Sequence, residues 1–419
     1  METISYAEFS LELHHRMLAG RLPANGTIEI TRRCPLDCQH CYNNLPMGDR
    51  AARSRELSYE EHCRLIDEIV EAGCLWLLFT GGEIFARKDF LDIYTYAKRK
   101  GLIITLFTNG TLITPQIADY LVEWRPFNIE ITLYGATRET YERLTGVRGS
   151  YDRCLRGIHL LRERGLPLKL KSVAVTVNKH EILEMQRFAE NLGVEFKYDA
   201  MMSPRIDCSQ SPLAVRLRPE EIVELDLADP TRVAEWRRIA AQFNGVSRQR
   251  DEIYECGGGV NSFAVDPEGK MSICVLSHMD TYDLRAGSFR DGWEKFLQPV
   301  RHKKRSRLTK CADCQMKSTC GMCPANGELE NNDPESPVDF LCHVSHLRAH
   351  TLGFPIAPHG SCEYCEGGDR YEDLMRTVSD LQRRARDERL HARLNRYLPV
   401  LVEQESAGGC GTGGCGSCA

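Results

Sequence analysis

Between Arg33 and Asn43 the chain reads RCPLDCQHCYN, with thiols at Cys34, Cys38 and Cys41. Four thiolates would close a tetrahedral zinc site or hold a whole iron–sulfur cube, whereas three leave one coordination position free for a ligand that is not protein. A second stretch, Thr80-Gly81-Gly82-Glu83, sets two glycines, which let backbone approach a ligand closely, beside a carboxylate able to meet a cation. A denser group follows from Cys256 to Cys342, then the pair Cys362 and Cys365, then Cys410, Cys415 and Cys418 in GGCGTGGCGSCA. Nineteen cysteines without a secretory signal point to metal ligation or redox chemistry rather than disulfides.

Strand-like apolar runs alternate with helix-period segments through the first half, the pattern of βα units around a parallel sheet. TIEIT from Thr27, LWLLFT from Leu75, LIITLFT from Leu102, NIEITLY from Asn128, LKLKSVAVTV from Leu168 and VEFKYDAMM from Val194 make six expected strands. Helix starts are marked by Ser58 with Glu61 as a capping box, by Asp89, by Thr114 ahead of Pro115, and by Asn178. The economical fold is α/β, a partial six-unit barrel. Ligands of such sheets sit beyond the carboxyl ends of the strands, where both short motifs fall.

Composition excludes some partners. The net charge of −5 from 54 basic and 59 acidic residues exerts no pull toward nucleic acid or anionic membrane. No run approaches the roughly 20 apolar residues of a spanning helix, so a cytoplasmic protein with no membrane role is expected.

The pattern CxxxCxφC of Cys34, Cys38 and Cys41, with His40 at φ and Tyr42 following, together with Gly81-Gly82-Glu83 one strand later, resembles radical S-adenosylmethionine (SAM) enzymes. The resemblance implies that the three thiolates hold a [4Fe-4S] cluster whose unique iron chelates SAM. It also implies SAM contacts from His40, Tyr42, Gly81, Gly82, Glu83, Asn109 and Thr132, the last two closing the third and fourth expected strands. Arg143 is a weaker candidate for the SAM carboxylate, its plainer reading being a solvated helix residue. Catalytic residues beyond the cluster ligands are not identified by the motif.

From Cys256 onward the order Cys256, Gly269, Cys274, Cys311, Cys314, Cys320, Cys323, Cys342 resembles the SPASM extension of the same enzymes, with one gap of two residues where three are common. Zinc-ribbon pairs usually stand about 15–20 residues apart, far wider than Cys314 and Cys320. The resemblance assigns Cys311, Cys314, Cys320 and Cys342 to a distal auxiliary [4Fe-4S] cluster and Cys256, Cys274 and Cys323 to a proximal one. Sulfatase-maturing relatives carry further ligands where this chain has Ser262 and Val275, which disfavours that reaction. The fourth proximal ligand is then a substrate donor, or else Cys362 or Cys365, whose plain reading is a small metal pair.

The expected organisation is an N-terminal segment (1–27), the radical SAM partial barrel (28–205), a helical linker (206–255), a cysteine-rich SPASM domain (256–345), a helical C-terminal extension (346–405) and a Gly/Cys-rich tail (406–419). The expected function is reductive cleavage of SAM and modification of a ribosomally made peptide, forming a thioether or carbon cross-link. A separate peptide-recognition protein and a low-potential donor such as a flavodoxin or ferredoxin are the expected partners. The basic run RHKKRSRLTK is a candidate for leader binding, against a solvated face as the plain reading. Two alternatives stand beside this one: the same chemistry on a small molecule of cofactor or natural-product biosynthesis, and a non-catalytic iron–sulfur or zinc module.

Overall fold

The computed structural model describes residues 5–243, 251–359 and 361–387. The tail thiols Cys410, Cys415 and Cys418 lie outside the described residues. The described residues divide into two compact units, one lying within 1–217, 248–313 and 321–339, the other within 218–247, 314–320 and 340–419.

The first unit is built on a nine-stranded sheet. All six expected strands form: β1 (Asn25–Glu29), β2 (Trp76–Thr80), β3 (Ile103–Thr108), β4 (Asn128–Thr132), β5 (Leu168–Val173) and β6 (Glu195–Asp199). They lie side by side in chain order, each parallel to the next. Beyond β1 the sheet continues into β7 (Ser262–Val265), β8 (Lys270–Ser272) and β9 (Tyr282–Asp283). β7 runs parallel to β1, with Asn25 opposite Ser262, while β8 and β9 return antiparallel. The barrel sheet therefore extends past residue 256, into the segment expected to begin the cysteine-rich extension.

Alternation along each strand separates two faces. Leu77 and Phe79, Ile104 and Leu106, Ile129 and Ile131 are sealed from solvent on the face that the connecting helices cover. The opposite face carries Glu29, Glu130, Lys171 and Lys197, which is the polar lumen of an open barrel. Two of the four expected capping side chains act as caps. Ser58 and Glu61 form the reciprocal capping box of helix Tyr59–Glu71, and Thr114 caps Pro115–Glu123 by accepting from Ile117 N at 3.2 Å. Asp89 behaves differently: it makes no cap bond, because both oxygens bind the Arg87 guanidinium at 2.8 and 2.9 Å. Asn178 also spends its side chain on the preceding loop, accepting from Val175 N and donating to the carbonyls of Val173 and Tyr134.

The second unit is helical. Its described elements are Pro219–Ala228, Pro230–Phe243, Lys317–Cys320, Asp339–Leu352 and the helical residues 371–387. Val223, Leu347, Tyr364, Leu374, Val378 and Leu381 form its buried centre, together with Cys362 and Cys365.

Candidate active site

The cysteine loop and the Gly-Gly-Glu turn are joined because β1 and β2 keep pairing after their ends. Ile30 N donates to Thr80 O, Gly82 N to Thr31 O and Glu83 N to Arg33 O. A Cβ on Gly81 would stand 2.2 Å from Thr31 O and one on Gly82 2.4 Å from Arg32 O, and Gly81 has φ +134°. The crossing of these two backbones is therefore what demands both glycines, a tighter constraint than the ligand approach expected from the motif. Arg33 and Glu56, with side chains nearly covered, close the root of the loop with two bonds of 2.8 and 2.9 Å. Arg205 pins its far side, donating to Cys41 O, Asn44 O and Asn44 Oδ1.

Within this frame Cys34, Leu36 and Cys38 are buried together, with Cys41, Tyr134 and Val147 packed against them. Burial, then the nearby Glu83 carboxylate, pushes the Cys34 thiol up to about 12, and burial likewise raises Cys38 and Cys41. Three thiols this reluctant to ionise become ligands only when a cationic centre replaces their protons. The Nδ1 of His40 is buried without a hydrogen-bond partner, its ring stands 5.1 Å from that of Tyr134, and burial holds it neutral by lowering its pKa to about 4. A three-thiol cleft with an unsatisfied ring nitrogen beside it fits a cluster whose fourth position takes an external ligand.

Glu83 is buried, and burial raises its pKa to about 7. Its carboxylate accepts from Thr108 Oγ1 at 2.7 and 2.9 Å, from Asn109 N at 2.8 Å and from Phe85 N at 3.2 Å. It thus locks the end of β3 to the end of β2. Asn109, so held, donates from Nδ2 to Cys34 Sγ at 3.4 Å. Tyr42 turns the other way, its hydroxyl donating to Glu29 Oε1 at 2.6 Å, where Asn43 Nδ2 also donates at 2.6 Å. Thr132 closes β4 in register with Lys171. Arg143 donates to Val177 O at 3.1 Å.

Several polar groups around this cleft were not singled out from sequence. Glu29, Arg32, Asp266, Lys270 and His278 line a cavity of about 300 Å³. In the lumen Glu130 pairs with Lys171 at 3.3 Å and Lys197 at 3.1 Å, and burial lowers the Lys171 pKa to about 7. The signal was present in NIEIT and LKLKSV, where Glu130, Lys169 and Lys171 alternate with the apolar residues Ile129, Ile131, Leu168 and Leu170.

Cys256, Cys274 and Cys323 are near enough to feel one another: burial raises Cys274 and then the Cys256 thiol does, while burial raises Cys323 and then Cys274 and Cys256 do. The Cys274–Met279 loop is braced by the buried carboxylate of Glu328, which accepts from Ser277 Oγ at 2.9 Å, His278 N at 3.1 Å and Tyr254 Oη at 3.2 Å. Of the other cysteines expected to hold a cluster, Cys311 belongs to the first unit and Cys314, Cys320 and Cys342 to the second.

A parallel partial barrel with a three-cysteine loop after its first strand defines a class, and residues 28–189 match the model of the radical SAM superfamily. The chain carries a radical SAM domain. It is 27% identical to the AdoMet-dependent heme synthase of Methanosarcina barkeri over 73% of this chain and 92% of that protein. It is 25% identical to the PqqA peptide cyclase of Rhodopseudomonas palustris over 84% of this chain and 93% of that one. The fold is similar to that of Streptococcus suis SuiB bound to the precursor peptide SuiA, with TM-score 0.62 at 16% identity over 81% and 82% of the two chains. Among the described residues no helix is long and apolar enough to cross a membrane.

Proposed function

We propose that the protein is a radical SAM peptide maturase that cleaves SAM in the cleft between the cysteine loop and the end of β3. The observation that carries the SAM-cleaving part is the grouping of the Cys34, Cys38 and Cys41 thiols, with Cys34 held beside Glu83 and Asn109. Bound by Cys34, Cys38 and Cys41, a [4Fe-4S] cluster would supply the electron that converts SAM to a 5′-deoxyadenosyl radical. The chain's own residues do the rest. Glu83 fixes the Thr108–Asn109 edge, Asn109 donates to a ligand sulfur, and the buried loop excludes water. His40, Tyr42, Gly81, Gly82 and Thr132 are the remaining SAM contacts in this reading.

The peptide substrate is supported by the near full-length likeness to PqqA peptide cyclase. Auxiliary clusters on Cys256, Cys274 and Cys323 and on Cys311, Cys314, Cys320 and Cys342 complete the assignment, reduced by a flavodoxin or ferredoxin. A small-molecule substrate is the second reading, favoured by the likeness to AdoMet-dependent heme synthase and by lysines in the lumen able to meet carboxylates. Anaerobic reconstitution with a low-potential reductant tests both. Formation of 5′-deoxyadenosine that rises with peptides encoded beside its gene, with a mass change on the peptide, is the expected result. A response to an iron tetrapyrrole carboxylate instead would transfer the assignment to the second reading, and intact SAM would overturn both.

A further inference from the structure

The second unit holds a set of metal-ligating side chains that the radical SAM chemistry does not use. His346 lies in helix Asp339–Leu352, and His359, Cys362 and Cys365 follow it at the spacing His-x12-His-x2-Cys-x2-Cys. One donor atom from each lies within 4.8 Å of all the others. The four residues are 1%, 6%, 4% and 6% exposed, and beside one another they meet the Cys342 thiol, 3.6 Å from His346 Nδ1, and the carbonyls of Cys342 and Ala357.

The distances are those of a single ion. Cys362 Sγ stands 3.4 Å and Cys365 Sγ 3.6 Å from His346 Nε2, and the His359 ring, whose Nδ1 lies 3.5 Å from Cys365 Sγ and 3.1 Å from Ala357 O, closes the group. Tetrahedral zinc, with Zn–S near 2.3 Å and Zn–N near 2.0 Å, separates its sulfur and nitrogen ligands by about 3.5 Å. Each cysteine of an iron–sulfur cube binds a different iron, which spreads the thiolates further apart.

Local structure prepares the ligands. Nδ1 of His346 lies 2.8 Å from Cys342 O. A carbonyl only accepts, so Nδ1 carries the proton and Nε2 presents its lone pair to both thiols, the usual orientation of a histidine ligand. Cys365 N donates to Cys362 O at 3.2 Å and Gly368 N to Cys365 O at 2.8 Å. This is a tight turn that aims both sulfurs to one side. Gly368 is required there, since a Cβ would stand 2.5 Å from Glu363 O.

The geometry points to a mononuclear zinc site formed by His346, His359, Cys362 and Cys365, closed by four protein ligands and structural in role. Binding displaces the two thiol protons and ties helix Asp339–Leu352 to the turn that leads into residues 371–387. The site also removes Cys362 and Cys365 from the donors available to the Cys256, Cys274 and Cys323 centre. Cys342, a cluster ligand by resemblance, has its sulfur 3.9 Å from Cys362 Sγ, so the test must read zinc and iron separately.

The test is elemental analysis and zinc-edge X-ray absorption on the full chain, produced with both metals available. Expected are one zinc per chain beside the iron, and a zinc shell of two sulfurs near 2.3 Å and two nitrogens near 2.0 Å. The pair Cys362→Ser and Cys365→Ser should lose the zinc and keep the iron and its visible absorption. His359→Cys, which preserves four ligands, should keep the zinc and raise the sulfur count to three. Absence of zinc, a shell without sulfur, an unchanged sulfur count in His359→Cys, or loss of iron in place of zinc would each overturn the assignment. The absorption spectrum of the unaltered chain decides the matter even where the double variant fails to fold.

Discussion

Asn109 Nδ2 donates to Cys34 Sγ at 3.4 Å, and the backbone N–H of the same residue donates to Glu83 Oε2 at 2.8 Å. One residue therefore links the first cysteine of the loop after β1 to the carboxylate of the turn after β2. Hydrogen bonds to a ligand sulfur offset its charge and favour the reduced cluster. Asn109→Leu should move the reduction potential of the bound cluster to more negative values and slow SAM cleavage on the order of tenfold, about 1.4 kcal/mol of barrier. Potentiometric titration followed by electron paramagnetic resonance reads the shift, and an unmoved potential would remove this role.

Gly81 allows no side chain. An alanine Cβ would meet Thr31 O at 2.2 Å, on a backbone at φ +134° that L-residues avoid. Gly81→Ala should cost about 2–4 kcal/mol in denaturant unfolding and lower iron incorporation, because the collision lies at the root of the cysteine loop. An alanine variant of unaltered stability would show that the two backbones separate freely.

His62 is wholly buried, and burial followed by the Arg87 guanidinium, 3.2 Å away, lowers its pKa from 6.5 to about 3. The unfolded chain takes up this proton below pH 6.5 and the native chain does not, so the unfolded state binds more protons between about 3 and 6.5. Stability conferred by neutral His62 is thus fully present above pH 6.5 and is lost on acidification through that window, by about 1.4 kcal/mol per pH unit. His62→Gln should lack this slope. Parallel pH dependences for the two proteins in urea unfolding would contradict the shift.

Lys171 should confer a pH dependence on substrate affinity. With its pKa lowered to about 7, it is charged below neutrality and neutral above. A substrate carboxylate bound in the lumen would lose this partner as pH rises, raising KM on the order of tenfold between pH 6 and 8, while Lys171→Gln should give a flat profile. A KM that is equally steep in the variant would place the substrate elsewhere.

The partial barrel was legible because its signals are local. Six apolar runs at period two, capping residues such as Ser58 and Thr114, and Gly81-Gly82-Glu83 at a strand end all act within a few residues of themselves. Partners that compete for a side chain or a backbone position were harder to read. Gly81 and Gly82 answer to the Thr31–Arg32 carbonyls, and the Tyr42 hydroxyl to Glu29. Asp89 abandons its cap for Arg87. The Thr31–Arg32 carbonyls and Glu29 belong to another part of the chain, out of view of a local reading, whereas Arg87 stands only two residues before Asp89.

The amino-acid order alone settled which residues can ligate, abstract or pair, since thiol, imidazole and carboxylate chemistry is intrinsic, and it settled the strand and helix periods that carry them. Grouping required the folded chain. His346 and Cys365 lie 19 residues apart with no shared motif, yet their donor atoms meet at 3.6 Å. Glu130 and Lys197 lie 67 apart and pair across the lumen at 3.1 Å. Such partners are chosen by strand register and helix packing, where the burial of apolar faces dictates which side chains are left to face one another.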